Sequence, residues 1–374
     1  MKTMEQNNQK VIKRRNSTMD ILRIVACFMV ITQHVLADDI YDTWTNNKTL
    51  LVILDSFAQG AVPLFFMLSG AFSASTSVKK AIKKSLYLFI LFVLFKCFFA
   101  FWDCYYFDKD ITFNLLYYSH RITDLCSYKY HLWFMPEFIA LTLIAPIINS
   151  AVRQNKYIDF YISILFILFG FILPHSFPVR IHGYEINVIE AILESVPINV
   201  PCSLGYFCLG KTIFNHVVTP PHQKKYTHQY IIMLTGIFWL STNIITCIMT
   251  LNRSIEKGAF DYSLLSRSGF NILIADSLLF TLFTLLSAKH DSKLTNPRNS
   301  SISNAVDFVI PHCLFIYLIH PLFVDALTLL GLRPLTYNPF ISVPAKILLV
   351  FMLSLGLSII VKGLKTMIQK PFKH

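Results

Sequence analysis

Residues 19–37 read MDILRIVACFMVITQHVLA. As a helix these nineteen residues rise about 28 Å, one hydrocarbon core of a bilayer. Yet the run contains Asp20, Arg23 and His34. Arg23 and His34 stand eleven positions apart, three turns plus about 20°, so they share one face at about 16 Å separation. Cys27 lies one turn beyond Arg23 on that face. Ionisable groups inside a span are costly and face a protein interior or a water-filled cavity. Taken singly, Arg23 reads equally well as a snorkelling side chain and His34 as an interfacial helix end. Together on one face they describe a site with two ends.

The rest of the chain has the composition of a membrane protein. Hydrophobic residues make up 54%, charged residues 14%, and mean hydropathy is +0.53. Apolar runs of spanning length recur at about 19–37, 49–75, 85–102, 132–150, 159–174, 196–214, 230–250, 268–287, 304–330 and 340–362. The expected fold is therefore all-α, a polytopic membrane protein of about ten transmembrane helices. It divides into a basic N-terminal arm (1–18), a ten-helix membrane domain (19–362) and a tail (363–374).

An even number of spans puts both termini on one side. Of the 33 Lys and Arg residues, 21 fall in that side's segments and nine opposite. The asymmetry predicts cytoplasmic termini. The first run is too long and too often interrupted for a signal peptide, so it reads as an uncleaved span, despite Val35-Leu36-Ala37. The net charge of +12 lies in short clusters between apolar runs, which orients a membrane protein and gives no basic, aromatic-interleaved surface for nucleic acid. The eight cysteines form no CxxC and no zinc-type spacing. Cys104 and Cys126 share one expected outer loop, where an oxidising side would let them pair.

Several further residues could carry chemistry. In the second span, Pro63 frees a backbone carbonyl, and Ser69-Gly70 allow close helix approach; packing and lining a site explain these equally. Asp55 in that span reads as interfacial. Before the fourth span comes Tyr130-His131-Leu132-Trp133-Phe134-Met135-Pro136-Glu137. Trp133 and Glu137 are one turn apart and share a face. His131 and Glu137 suit binding of a polar substrate, while Trp133 also fits an interface anchor. Asp276 stands alone in an apolar span and requires a proton or a cation, for which Arg23 is a candidate. Tyr317 and His320 are three positions apart in the ninth span; structure alone accounts for His320 as readily as function does, and His312 has less to recommend it. No Walker loop, GxGxxG, HExxH or GxSxG occurs. No permanently bound cofactor and no metal are expected.

Four of these stretches, in this order, resemble the acyltransferase family 3 membrane proteins. Arg23 and His34 match that family's Arg-x10-His pattern in the first span. The run 63–70 (PLFFMLSG), the run His131-Leu132-Trp133-Phe134 and the run Tyr317-Leu318-Ile319-His320-Pro321 follow. The similarity extends over about residues 16–365 and looks closest to single-domain O-acetyltransferases of bacterial surface glycans, such as enterobacterial common antigen. The extra hydrolase-like domain of some members is not expected.

The resemblance implies transfer of an acetyl group from cytoplasmic acetyl-CoA to a sugar hydroxyl on a surface polysaccharide or its lipid-linked precursor, in a bacterial inner membrane. It makes His34 and Arg23 the catalytic pair. His34 acts as general base or transient acyl carrier, and Arg23 holds donor phosphates or stabilises an oxyanion. Glu137 would orient His34 or the sugar, and Tyr317 would add a hydrogen bond. Expected partners are acetyl-CoA, the glycan and the bilayer; a homo-oligomer is left open. The alternative reading is a glycan or small-molecule transporter using the same buried polar groups.

Overall fold

The computed structural model describes residues 16–41, 45, 48–103, 129–155, 157–168, 171, 178–181, 184–187, 200–218, 225–291, 301–335 and 337–369. The chain is an all-α polytopic membrane protein with one small hairpin. In order come α1 (Ser17–Ile40), α2 (Thr49–Ala58), α3 (Ala61–Ala71), α4 (Val78–Asp103), α5 (Phe134–Gln154) and α6 (Ile158–Ile167). The strands β1 (Pro178–Ile181) and β2 (Tyr184–Asn187) pair antiparallel, with Val179 opposite Ile186. Then follow α7 (Val200–Val218), α8 (Lys225–Lys257), α9 (Phe270–Asp291), α10 (Ser301–Val309), α11 (Cys313–Leu329) and α12 (Pro339–Gln369).

Each of the ten apolar runs contains helix. Among the described residues, eight helices are long and apolar enough to cross a membrane, with α2–α3 and α10–α11 each counted as one. Helices α6 and α7 occupy the fifth and sixth runs. Two runs that read as continuous are broken. The second is interrupted by a turn at Gln59–Gly60, and the ninth by a 3-10 turn at Ile310–His312, where Pro311 has no N–H to give. Cys104 and Cys126 lie outside the described residues.

Helix α1 is the hub of the bundle, packed against α2, α3, α9, α10, α11 and α12. Asn16 caps it by accepting from the Met19 amide at 3.2 Å. The closest packing joins α3 to α7. A Cβ on Gly70 would sit 1.8 Å from the Phe207 carbonyl oxygen, and one on Gly210 would sit 2.3 Å from that of Met67. Two glycines on facing helices therefore let the backbones touch, as the Ser69-Gly70 step suggests. At the other end of the bundle Gly331, with φ of 79°, stops α11. Its N–H donates to Thr328 O and that of Leu332 to Leu327 O, closing the last turn in a Schellman arrangement.

Helices α4, α8 and α12 turn rows of apolar side chains outward, among them Phe89, Leu94, Phe238, Ile245 and Met352. Polar groups are gathered inside, including Asp20, Asp55, Glu137, Asp276 and His320, all buried. In water this distribution would be inside out; in lipid it is the favourable one. Three lysines that the charge count assigned to loops, Lys48, Lys129 and Lys211, are in fact buried. Lys211 sits within α7 and donates to Asn149 Oδ1 at 2.6 Å. Lys129, just before α5, is the centre of an ion-pair cluster described below.

Candidate functional site

The eleven-residue spacing on α1 places Arg23 and His34 at two separate cavities. The first, about 400 Å³, opens near the start of α1 and is lined by Arg23 and Lys84 among apolar side chains such as Phe65, Phe134, Phe138 and Phe207, with Ser69 on its wall. The second, about 170 Å³, lies toward the end of α1 and is lined by His34, His131 and Trp133, together with Gln33, Asp55, Gln59, Tyr262 and Arg267. Tyr317 lines both. One cavity is thus larger, mostly apolar and basic at its edge, and the other smaller and rich in hydrogen-bonding groups. A single phenol ring belongs to both walls.

At the His34 end three imidazoles from distant parts of the chain meet. The ring of His34 lies 4.5 Å from that of Tyr130 and 5.2 Å from that of His320. His131 lies 5.4 Å from His320. Carbonyl oxygens only accept, so they fix which ring nitrogens carry hydrogen. His131 Nε2 is 3.1 Å from Leu318 O and His320 Nδ1 is 2.7 Å from Tyr317 O, so both nitrogens donate. That leaves His131 Nδ1 and His320 Nε2 as buried acceptors without a hydrogen-bond partner among the described residues. Burial first, then the adjacent His320 and His34, pushes His131 well below the usual histidine range, so it is neutral at pH 7. Tyr317 Oη donates to the His131 carbonyl in a short hydrogen bond, tying α11 to the segment before α5.

That segment is held from its other side by charge. Lys129 Nζ donates to Asp103 Oδ1 at 2.6 Å and Asp325 Oδ2 at 2.7 Å, and Trp102 Nε1 donates to Asp325 Oδ2 at 2.8 Å. One buried cation between two carboxylates pins Tyr130 and His131 against α4 and α11.

Glu137 and Trp133 share a face, as their spacing requires, and Arg267 completes that face. Its guanidinium donates to Glu137 Oε1 at 3.2 Å and Oε2 at 3.3 Å, while lying 3.8 Å over the Trp133 ring. Ser203 on α7 donates to Glu137 Oε2 in a short hydrogen bond. The carboxylate is thus engaged at both oxygens, and the fork-to-fork pair braces the wall of the second cavity.

The expected residues therefore fall into groups. His34, His131, His320 and Tyr317 converge. Trp133 lines the second cavity with three of them, and Glu137 supports Trp133's partner Arg267. Arg23 and Ser69 line the first cavity. Asp276 lies in neither wall. It faces the helix break, where a Cβ on Gly60 would come within 1.9 Å of its Oδ1. Arg23 instead pairs with Asp20, one turn earlier, at 3.1 Å.

Arg267, Gln33, Gln59 and Tyr262 carry no motif, and nothing in their local sequence singles them out. Asp55 was legible as an acidic residue in a span, though only its cavity distinguishes it from an interfacial one. Among the described residues no group of three or more His, Cys, Asp and Glu has the geometry to hold a metal ion. A family model described as an acyltransferase domain matches residues 16–363. No curated protein and no solved structure matches the chain.

Proposed function

The chain belongs to the acyltransferase domain family, and from that membership we propose that it moves an acetyl group from cytoplasmic acetyl-CoA to a hydroxyl of a surface polysaccharide or its lipid-linked precursor. The proposed setting is a bacterial inner membrane with both termini in the cytoplasm. The observation that carries the reading is Tyr317, which lines both cavities and so brings an apolar, basic-edged one against a small polar one. A thioester on a long carrier arm suits the first, and a sugar suits the second.

In this scheme Arg23 attracts the donor's phosphates at the cytoplasmic side. The acyl end of the arm reaches the Tyr317 wall. The acceptor hydroxyl lies against His34, which takes its proton as the oxygen attacks the thioester carbon. The new C–O bond forms and a tetrahedral oxyanion results. Its collapse breaks the C–S bond, and the His34 imidazolium returns the proton to the leaving thiolate. His320 stacks on His34 with 5.2 Å between ring centroids, so the charge that develops on His34 forms against a second imidazole.

The test supplies membranes containing wild type or His34→Ala with acetyl-labelled acetyl-CoA. Alkali-labile label in envelope glycan that depends on His34 supports the reading. No label from either protein, over several acceptor glycans, would overturn it in favour of transport.

A further inference from the structure

The second cavity contains a hydrogen-bonded chain that no part of this scheme uses. Gln33 Nε2 donates to Gln59 Oε1 at 2.9 Å, and Tyr262 Oη reaches the same oxygen at 3.4 Å. Gln59 Nε2 then donates to Asp55 Oδ2 at 2.9 Å. The chain ends on a carboxylate that is 5% exposed, lines the cavity and takes no cation as partner among the described residues. Its Oδ1 receives no hydrogen bond from a described residue.

The cavity's cation is differently placed. Both arms of Arg267 are engaged by Glu137, and its face lies on Trp133. Arg267 and Glu137 together are neutral. When ionised, Asp55 is therefore the uncompensated charge among the described lining residues, and the guanidinium that would receive an acidic ligand already gives one N–H of each arm to its own carboxylate.

We infer that the second cavity selects an uncharged sugar ring, with Asp55 accepting from its hydroxyls and Gln33, Gln59 and Tyr262 completing the subsite, and that it rejects uronic acids. The inference rests on reading this cavity as the acceptor side. Hydroxyls both donate and accept, which matches a wall of amides, a phenol and a carboxylate, whereas a second carboxylate would meet Asp55 in a site of low dielectric. The volume of about 170 Å³ holds one ring rather than an oligosaccharide. A carboxylate at the end of an amide chain also has its orientation fixed before the ligand arrives, so little ordering is needed on binding.

The test uses the full chain in lipid nanodiscs and follows tryptophan fluorescence during titration with methyl β-glucoside and methyl β-glucuronide at matched ionic strength. The expected result is at least about tenfold tighter binding of the glucoside than of the glucuronide. Asp55→Asn keeps the fold and shape, weakens the glucoside about tenfold as one charge-assisted hydrogen bond is lost, and removes most of the discrimination. Equal binding of glucoside and glucuronide, binding of neither, or discrimination that survives Asp55→Asn would each overturn the inference. Transfer of labelled acetyl to the same glycosides is scored separately. Selective, Asp55-dependent binding without transfer would remove the enzymatic reading and leave the subsite. Transfer with unselective binding would remove the subsite alone.

Discussion

The imidazole of His34 is stacked on that of His320, with ring centroids 5.2 Å apart and planes 24° from parallel. The pair joins the start of the chain to its last third, and it sets a second imidazole against the proposed base. His34→Ala is expected to lower acyl transfer by about 10²–10⁴-fold, the usual contribution of a general base. His320→Gln keeps a polar side chain but cannot take a proton, and should lower transfer less while shifting the acidic limb of the pH–rate profile. Rates across pH 5–9 in isolated membranes separate the two. An unchanged profile in His320→Gln would assign that residue to packing alone.

Arg23 is half-buried beside the first cavity, with Asp20 as its ion-pair partner. Arg23→Ala should raise the KM for acetyl-CoA more than it lowers kcat. Arg23→Lys should recover part of that loss, because a lysine restores the charge without the two-pronged geometry. Donor titration at saturating acceptor measures the split; donor kinetics that match wild type in Arg23→Ala would discard the phosphate-binding role.

The Glu137–Arg267 pair predicts a larger effect on stability than on chemistry. Glu137→Gln leaves a guanidinium against Trp133 with no carboxylate, and removing one member of a buried pair costs about 3–5 kcal/mol. Arg267 is partly exposed to its cavity, so the lower end applies. The expected reading is a lower Tm in detergent, with transfer per folded molecule falling less than in His34→Ala.

Much of this arrangement was legible in the sequence, for a physical reason. Lipid demands long apolar runs, so the eight helices long enough to cross a membrane announced themselves, and helical geometry converted the Arg23–His34 spacing into a shared face. Trp133 and Glu137 followed by the same logic. What escaped was whatever depends on contact across the chain. Arg267 lies 130 residues from Glu137 in sequence, and its surroundings resemble any short polar turn. Lys129 and Lys211 looked like loop charges because burial of a cation depends on partners supplied from elsewhere. The break at Gln59–Gly60 was hidden because apolar residues flank it on both sides, and hydropathy carries no record of a helix that stops and restarts.

Gly70→Ala tests the closest contact in the fold. The added methyl would meet the Phe207 carbonyl, which is backbone and cannot swing aside. Helices α3 and α7 must separate, at a cost of about 1–3 kcal/mol for such overpacking. Thermal unfolding should show a Tm lower by several degrees, and Gly236→Ala, where a Cβ meets nothing within 4 Å, should show no such drop.

The neutral state of His131 gives stability a dependence on pH. Its folded pKa is lowered by burial, so between that value and the ordinary 6.5 the unfolded chain binds the proton and the native one does not. Stability from this group is therefore full above about pH 6.5 and falls as pH drops below it. His131→Asn should flatten that part of the curve. Unfolding temperatures at pH 5, 6 and 7.5 in the two proteins decide the matter; parallel curves would show that other groups govern the acid limb.

The phenol shared by two cavities also has an electrical consequence. A membrane that stores energy cannot contain a continuous water path, because each charge crossing 100 mV is worth about 2.3 kcal/mol and would drain the gradient. Tyr317 lines both cavities, and the proposed reaction, in which the acyl group is handed over beside it, needs no such path. An acetyl group is uncharged, so this transfer does no work against the voltage, while in the proposed scheme the phosphates of its carrier stay on the side where they began. Proton leak through liposomes bearing wild type or Tyr317→Ala would measure how much of the insulation this one ring provides.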